Sequence, residues 1–159
     1  MVQLTFITVG ALKENYLKDA VAEYKKRLSQ YARVEEINIK EETISNEDDA
    51  SEIERALNLE GEKILSAIPK DTKAIALCVE GIQFDSVALA AKIGQFGDEC
   101  GKIALVIGSS HGLSSTVKAR CDLKLSVSKL TFPHQLMRPL LYEVIYRSFT
   151  ILAGKRYHK

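Results

Sequence analysis

Apolar positions along the chain follow two spacings, one typical of strands and one typical of helices. Short apolar runs predict five strands, at residues 4–9, 34–39, 74–79, 103–108 and 123–127. Between these runs, apolar residues recur every three or four positions, as on one face of an amphipathic helix. Strands that alternate with helices predict an α/β fold, with a mostly parallel sheet flanked by helices. No linker, repeat or low-complexity stretch interrupts the pattern, so we predict a single domain over residues 1–159.

Capping residues and prolines predict where the helices begin and end. Asp85 precedes one helical segment, and Ser114 or Ser115 precedes a short one, so each is a candidate N-cap. A last helix is predicted through residues 136–152, although Pro139 lies inside it. Because proline removes a hydrogen bond and disfavours helical geometry at the preceding residue, this helix is either kinked or begins at Pro139. We favour the start at Pro139.

Charge is balanced over the whole chain and uneven along it. Residues 1–80 hold 11 basic and 16 acidic residues, a net charge of −5. Residues 81–159 hold 11 basic and five acidic residues, a net charge of +6. A basic C-terminal part suits an anionic partner such as RNA, although a solvated surface explains the uneven charge on its own. A non-catalytic RNA-binding protein is therefore one hypothesis.

Composition excludes several other classes. Hydrophobic residues make up 46% and charged residues 27% of the chain, as in ordinary soluble proteins, and no apolar run approaches the ~20 residues that span a bilayer. The chain has three cysteines and three histidines, all widely spaced: Cys78, Cys100, Cys121, His111, His134 and His158. These spacings argue against a disulfide framework and against a metal site. Free thiols, together with an N-terminus that does not resemble a signal peptide, predict a cytoplasmic protein.

A glycine-rich segment, residues 108–112, directly follows the fourth predicted strand. Ligands of open parallel sheets bind beyond the carboxyl ends of the strands, so we expect this segment to meet residues 80–81 and 126–132 at one site. The segment has neither the dinucleotide fingerprint nor the P-loop pattern. It does match the G-x-S-x-G motif of serine hydrolases.

A serine hydrolase is accordingly a second hypothesis. Ser110 would be the nucleophile, Asp122 or Glu143 the acid, and His158 the base. That chain order is compatible with known hydrolases. However, no glycine-rich oxyanion segment precedes the motif, and five-residue matches are common.

Several stretches of the sequence resemble one known family. VIGSSHG at residues 106–112 is similar to the V-I-G-G-x-x-G segment of the bacterial 23S rRNA pseudouridine N3-methyltransferases, which belong to the SPOUT class of S-adenosylmethionine enzymes. LSVSKLTFPHQLMR at residues 125–138 is similar to the most characteristic stretch of that family. The opening TVGALKENYLKDAVAEYKKRL and the closing LYEVIYRSFTILAGKRYHK also fit. The resemblance covers essentially the whole chain.

This resemblance implies an activity, a cofactor and partners. The activity is methylation of N3 of a pseudouridine, at position 1915 in helix 69 of 23S rRNA, within the large ribosomal subunit. The methyl donor is S-adenosylmethionine, and no metal is required. The family acts as a homodimer in which the partner chain completes each site. The apolar side chains of Leu136, Leu140 and Val144 suit such an interface.

The resemblance also implies a C-terminal trefoil knot, which periodicity alone would not suggest because knots are rare. The knot forms the pocket for the methyl donor. The residues expected to contact the donor, mostly through backbone groups, are Leu77, Gly108, Val127, Ser128, Lys129, Leu130, Thr131 and Phe132. Two residues depart from the family pattern: Ser109 stands in place of a second glycine, and Pro139 stands in place of an aliphatic residue.

Candidate catalytic and RNA-binding residues follow from the same resemblance. The N3–H group of the base must lose its proton, and a cation can stabilise the resulting anion. Arg138 is the candidate cation, and His134 is the candidate proton acceptor. An aromatic side chain among cations can stack on an exposed base while the cations hold phosphates. The residues expected to bind RNA in this way are Arg138, Arg147, Lys155, Arg156, Tyr157, His158 and Lys159.

Overall fold

The five predicted strands form one parallel sheet in the computed structural model, which describes residues 1–159. The strands are β1 (Val2–Val9), β2 (Ala32–Ile39), β3 (Lys73–Ile82), β4 (Lys102–Ile107) and β5 (Leu123–Leu125). Their order across the sheet is β2-β1-β4-β3-β5, and every pair of neighbours is parallel. The helices are α1 (Asn15–Leu28), α2 (Ala50–Ala67), α3 (Ser86–Cys100), α4 (Ser115–Arg120) and α5 (Met137–Leu152). The predicted α/β architecture is confirmed.

Helices cover both faces of the sheet. Helices α1, α3 and α5 pack on one face, where α5 contacts both of the others, and α2 and α4 pack on the opposite face. In β1, Phe6 points towards α5, and Ile7 points towards α2 and α4. Successive side chains of a strand point to opposite faces, so a sheet covered on both sides requires unbroken apolar strands.

Local capping explains two of the helix starts. The Asp85 carboxylate accepts a hydrogen bond from the Ala88 N–H at 2.7 Å, at the beginning of α3. The Ser114 hydroxyl accepts one from the Val117 N–H at 3.3 Å, at the beginning of α4. Both side chains satisfy N–H groups that have no partner inside the helix. The predicted N-caps are therefore confirmed, with Ser114 and not Ser115 in the second case.

The prediction that the last helix begins at Pro139 is wrong. Helix α5 begins at Met137 and follows a 3-10 turn (His134–Leu136), so Pro139 lies in its first turn. The first four N–H groups of a helix have no acceptor within the helix, so proline removes no hydrogen bond there. Arg138 consequently has helical geometry.

Two further corrections concern the carboxyl ends of strands. Val79, predicted to be buried on both faces, is 82% exposed. Val127, predicted to lie in the last strand, follows β5, which ends at Leu125. Val79 lies in the part of β3 beyond Leu77, where the regular pairing with neighbouring strands is interrupted, and Val127 lies in the loop after β5, so neither is covered by helices on two sides.

The structure also describes the cysteines and the membrane-spanning potential of the chain. All three cysteines are free thiols, and burial raises the pKa of Cys121 to about 11. No group of three histidine, cysteine or acidic side chains is arranged to hold a metal ion. None of the helices combines the length and the apolar character needed to cross a bilayer.

Candidate functional site

A cavity of about 270 Å³ lies at the carboxyl ends of the central strands. Its walls come from the end of β3 (77–79), the segment after β4 (107–112) and the segment after β5 (126–132). His134, in the 3-10 turn before α5, and Met137, the first residue of α5, complete the lining. The sequence analysis predicted that three segments meet here. This is confirmed for residues 108–112 and for residues 126–132.

The part of β3 that lines the cavity lies earlier in the sequence than predicted. Residues 77–79 line it, whereas residues 80–81 do not. The pairing of β3 with β5 shifts register beyond residue 77, and the Ile82 carbonyl accepts from the Ser126 N–H at 3.0 Å. A Cβ atom at Gly81 would lie 2.7 Å from the Ser126 nitrogen, so only glycine allows this approach.

Residues 108–112, which we call the glycine loop, fold back on themselves. The Gly112 N–H donates to the Ser109 carbonyl at 2.9 Å, and Gly112 has a φ of +92°. A Cβ atom at Gly108 would lie only 2.1 Å from the Gly112 carbonyl oxygen. Glycine is therefore required at both ends of the loop, for a close approach at one end and for left-handed geometry at the other.

Residues 126–133, which we call the C-terminal loop, hold their shape through short-range hydrogen bonds. The Ser126 hydroxyl donates to the Ser128 carbonyl at 3.2 Å, and the Ser128 hydroxyl accepts from the Leu130 N–H at 3.0 Å. The Lys129 side chain is exposed and does not line the cavity. The other residues predicted to contact the methyl donor all line it: Leu77, Gly108, Val127, Ser128, Leu130, Thr131 and Phe132.

His134, the predicted proton acceptor, lines the cavity and is half-buried. Burial, with a smaller contribution from the nearby Arg138 charge, lowers the pKa of the imidazole below its ordinary value. A lowered pKa keeps the ring neutral at physiological pH, which is the form that can take up a proton. Its catalytic role stays a prediction.

Arg138, the predicted catalytic cation, is 8% exposed and does not line the cavity. Its guanidinium donates to the Gly10 carbonyl at 2.9 Å and to the Val9 carbonyl at 3.3 Å. The neighbouring Gln135 accepts from the Lys13 N–H at 3.0 Å. Together these contacts hold the start of α5 against the end of β1. Both roles predicted for Arg138, in catalysis and in RNA binding, stay predictions.

The predicted RNA-binding tail packs along α5 and away from the cavity. Arg147 forms a two-pronged ion pair with Glu143, with distances of 2.6 and 3.0 Å, and its guanidinium lies 4.7 Å from the Tyr157 ring centroid. The Tyr157 hydroxyl also donates to Glu143 at 3.2 Å. The remaining tail residues are exposed: Lys155, Arg156, His158 and Lys159. None of the predicted RNA-binding residues lines the cavity of the same chain.

The triad required by the hydrolase hypothesis is not assembled. Ser110 lies in the glycine loop, but Asp122 accepts from the Ala74 N–H at 2.8 Å, at the opposite end of β3. Glu143 is occupied by Arg147 and Tyr157. His158 lies in the tail, beside Arg147 rather than near Ser110. The predicted base is therefore not within reach of the Ser110 hydroxyl, as the nucleophile would require.

Fold and cavity define a class of protein, namely a parallel α/β protein whose ligand site is built by loops at the carboxyl edge of the sheet. Comparison with known families agrees with this class and narrows it. A family model described as "Predicted SPOUT methyltransferase" matches residues 2–158. The chain therefore belongs to the SPOUT methyltransferase family, and the resemblance found in the sequence is confirmed.

Curated relatives are similar over nearly their whole length. The chain is 46% identical over 157 residues to a protein of Shouchella clausii, covering 98% of this chain and 99% of the relative. It is also 46% identical over 159 residues to a protein of Bifidobacterium adolescentis, with 99% of each chain covered. Both relatives are named "Ribosomal RNA large subunit methyltransferase H".

Solved structures share the fold at low sequence identity. A probable methylase family protein from Haemophilus influenzae superposes with a TM-score of 0.53 at 13% identity, covering 99% of this chain and 70% of that one. A probable methyltransferase from Bordetella pertussis gives a TM-score of 0.53 at 12% identity, with coverages of 92% and 93%. At such identities the likeness supports the fold alone.

Proposed function

We propose that this chain methylates ribosomal RNA, transferring a methyl group from S-adenosylmethionine to N3 of a pseudouridine in helix 69 of 23S rRNA. The observation that carries the proposal is the cavity formed by the glycine loop and the C-terminal loop, in a chain whose relatives are named ribosomal RNA large subunit methyltransferase H. We further propose that residues 1–159 act as one domain, in the cytoplasm, and that the C-terminal loop belongs to a trefoil knot.

The lining of the cavity suits an adenosine-like group. Leu77, Val127 and Phe132 provide apolar surface, and the two loops provide backbone groups at short range. Adenine and ribose need stacking surfaces and hydrogen bonds more than they need opposite charges. When bound, S-adenosylmethionine supplies an already activated methyl group, so the protein's main task is alignment. The residues that would hold the donor are those predicted from the sequence, apart from Lys129.

His134 is the residue of this site best suited to remove the N3 proton. It lies on the cavity wall in the 3-10 turn before α5, and burial favours its neutral form. The general base must lie within hydrogen-bond reach of the proton that it removes. Arg138 lies four residues later, in the first turn of α5, and contributes positive charge although it does not line the cavity itself. An anionic base in the cavity would be stabilised by that charge.

A homodimer would bring together parts that lie apart in one chain. The basic tail does not line the cavity of its own chain. Leu136, Leu140 and Val144 recur every four residues, which places them on one stripe of the helical segment, and each is only half-buried. An apolar stripe left partly exposed supports a second copy as its partner. In such a dimer, the tail of one chain can reach RNA bound at the cavity of the other.

The proposed function is tested by methyl transfer from radiolabelled S-adenosylmethionine to ribosomes that lack the modification. We expect label in the helix 69 fragment of 23S rRNA, and much less label in a short naked stem-loop, because the small chain depends on RNA shape for recognition. A double variant, Lys155→Gln with Arg156→Gln, should weaken RNA binding at low salt. The matched control, Lys40→Gln with Lys70→Gln, removes the same charge from the acidic half of the chain and should bind RNA normally.

Each contrary result has a definite meaning. RNA binding without transfer to any ribosomal particle would replace the proposal with the non-catalytic RNA-binding hypothesis. Equal methylation of the naked stem-loop and of the ribosome would refute the ribosomal context. Equal loss of RNA binding in the tail variant and in the control variant would refute the role of the tail.

A further inference from the structure

Gln135 lies in the 3-10 turn before α5, directly after His134, which lines the cavity. Its side-chain amide contacts residues 10–14, which join β1 to α1 and which we call the β1–α1 connection. The Oε1 atom accepts from the Lys13 N–H at 3.0 Å, and the Nε2 group donates to the Ala11 carbonyl at 3.4 Å. A primary amide carries both a donor and an acceptor, so one side chain satisfies two backbone groups here.

The β1–α1 connection is held in place by side chains at the start of the last helix. Residues 11–14 form no helix or strand, and neither the Lys13 N–H nor the Ala11 carbonyl has another hydrogen-bond partner in the chain. Arg138 donates to two further carbonyls, those of the last residue of β1 and of the residue after it. Gln135 and Arg138 therefore bind one continuous stretch of backbone.

The imidazole of His134 has no such support of its own. No hydrogen bond within the chain occupies its ring nitrogens, and neither nitrogen is buried. The turn that carries it has no side-chain N-cap, and it is closed by the Leu136 N–H, which donates to the Pro133 carbonyl at 3.0 Å. The position of the ring is therefore set by the backbone of the turn, and Gln135 joins that backbone to the rest of the protein.

We propose that Gln135 is a positioning residue, whose amide fixes the 3-10 turn to the β1–α1 connection and so holds His134 where it can accept the proton of the substrate base. The proposal rests on the proposed function, because it takes His134 to be the proton acceptor. Proton transfer requires the acceptor to lie within hydrogen-bond reach of the proton, so a turn that moves away from the cavity loses the reaction. The side chain of Gln135 does not line the cavity and acts only through its neighbour.

The test compares single-turnover methyl transfer to ribosomes that lack the modification with calorimetric titration of S-adenosylhomocysteine. Gln135→Met keeps the length of the side chain and removes both hydrogen bonds. Two bonds of ordinary net strength favour the anchored turn by about tenfold, so the transfer rate at saturating donor should fall about tenfold. The affinity for S-adenosylhomocysteine should stay unchanged. Gln30→Met, the same change at an exposed residue before β2, is the matched control and should match the wild type in both measurements.

A double variant tests whether Gln135 acts through His134. His134→Gln removes the base, so Gln135→Met should cause no further loss of rate in that background. A further loss there, or a loss of donor affinity equal to the loss of rate, would overturn the proposal and leave Gln135 a structural residue only. If the wild type transfers methyl groups and His134→Gln keeps the full rate, the proposed function stands and the positioning role fails, because there is no base to position.

Backbone NMR relaxation of the free protein gives a further measurement that requires neither donor nor RNA. The amides of Lys13 and Leu136 should become more mobile in Gln135→Met, and Gln30→Met should leave both rigid. Unchanged mobility in Gln135→Met would overturn the proposal. If the wild type neither binds S-adenosylhomocysteine nor transfers methyl groups, the proposed function fails, and the relaxation data alone then decide whether Gln135 anchors the turn.

Discussion

Replacing Gly108 with alanine tests how tightly the glycine loop must fold for the cavity to bind its ligand. The added Cβ atom would lie 2.1 Å from the Gly112 carbonyl oxygen, 2.6 Å from its carbon and 2.9 Å from a methyl group of Leu113. Ordinary contacts begin near 3.4 Å, so the Gly112 carbonyl must retreat by about 1.3 Å. A flexible side chain could rotate away, but this neighbour is backbone.

The magnitude of the effect follows from that displacement. Forcing an extra carbon atom into a packed region costs about 1–3 kcal/mol of folding free energy. Moving site groups by about 1 Å reduces function by about 100-fold in well-aligned sites. The hydrogen bond from the Gly112 N–H to the Ser109 carbonyl closes the loop, so it must also distort. We therefore expect Gly108→Ala to fold with reduced stability and to bind donor analogues about 100-fold more weakly.

Calorimetric titration with S-adenosylhomocysteine, supported by urea unfolding, measures both effects. Gly94→Ala is the control, because its Cβ atom would approach only a terminal methyl group of the half-exposed Leu152, at 3.0 Å. Alanine also favours the helix over glycine by up to about 1 kcal/mol, which offsets a small adjustment. The control should bind like the wild type. Wild-type affinity in Gly108→Ala would refute the assignment of the donor site to the glycine loop.

Two other predictions concern stability and pH. Tyr142→Phe keeps the stacking on Phe6, with ring centroids 3.8 Å apart, but removes the hydroxyl that donates to Glu36. We expect a loss of about 1 kcal/mol in urea unfolding, and no loss would mean that this hydrogen bond contributes nothing net. Burial lowers the pKa of His134 below its ordinary 6.5, so the neutral base is lost only as the pH falls below that value. The rate of single-turnover methyl transfer should therefore fall as the pH is lowered below this value. If His134→Gln shows the same fall in rate, His134 is not the group that causes it.

The parts of the fold that local pattern determines could be predicted from the sequence. The apolar run at residues 103–107 predicts β4 because this short strand is covered by helices on both faces, and every residue of the run is buried. Pro139 misled the prediction because the rule against proline in helices does not hold in the first turn. Whether a residue lies in a first turn depends on the preceding 3-10 turn, which Gln135 fixes by contacts with residues far away in the sequence.

The candidate site likewise has parts that the sequence predicts and parts that depend on contacts between distant residues. The glycine loop was found from its glycines and its place after a strand, and the C-terminal loop was found from the family resemblance. The contribution of β3 was placed too late, at residues 80–81, because the register shift depends on how β3 pairs with β5.

The strand order has a consequence for the newly synthesised chain. The interior strand β1 pairs on one side with β2, which follows it closely in the sequence. Its other side pairs with β4, with Gln3 opposite Lys102. At synthesis rates of about 5–20 residues per second, roughly 5–20 s pass between the synthesis of β1 and the synthesis of β4. An apolar strand with an open edge is a template for pairing with other chains. The N-terminal third of the chain therefore presents an open apolar strand edge until β4 has been made, and such an edge favours aggregation.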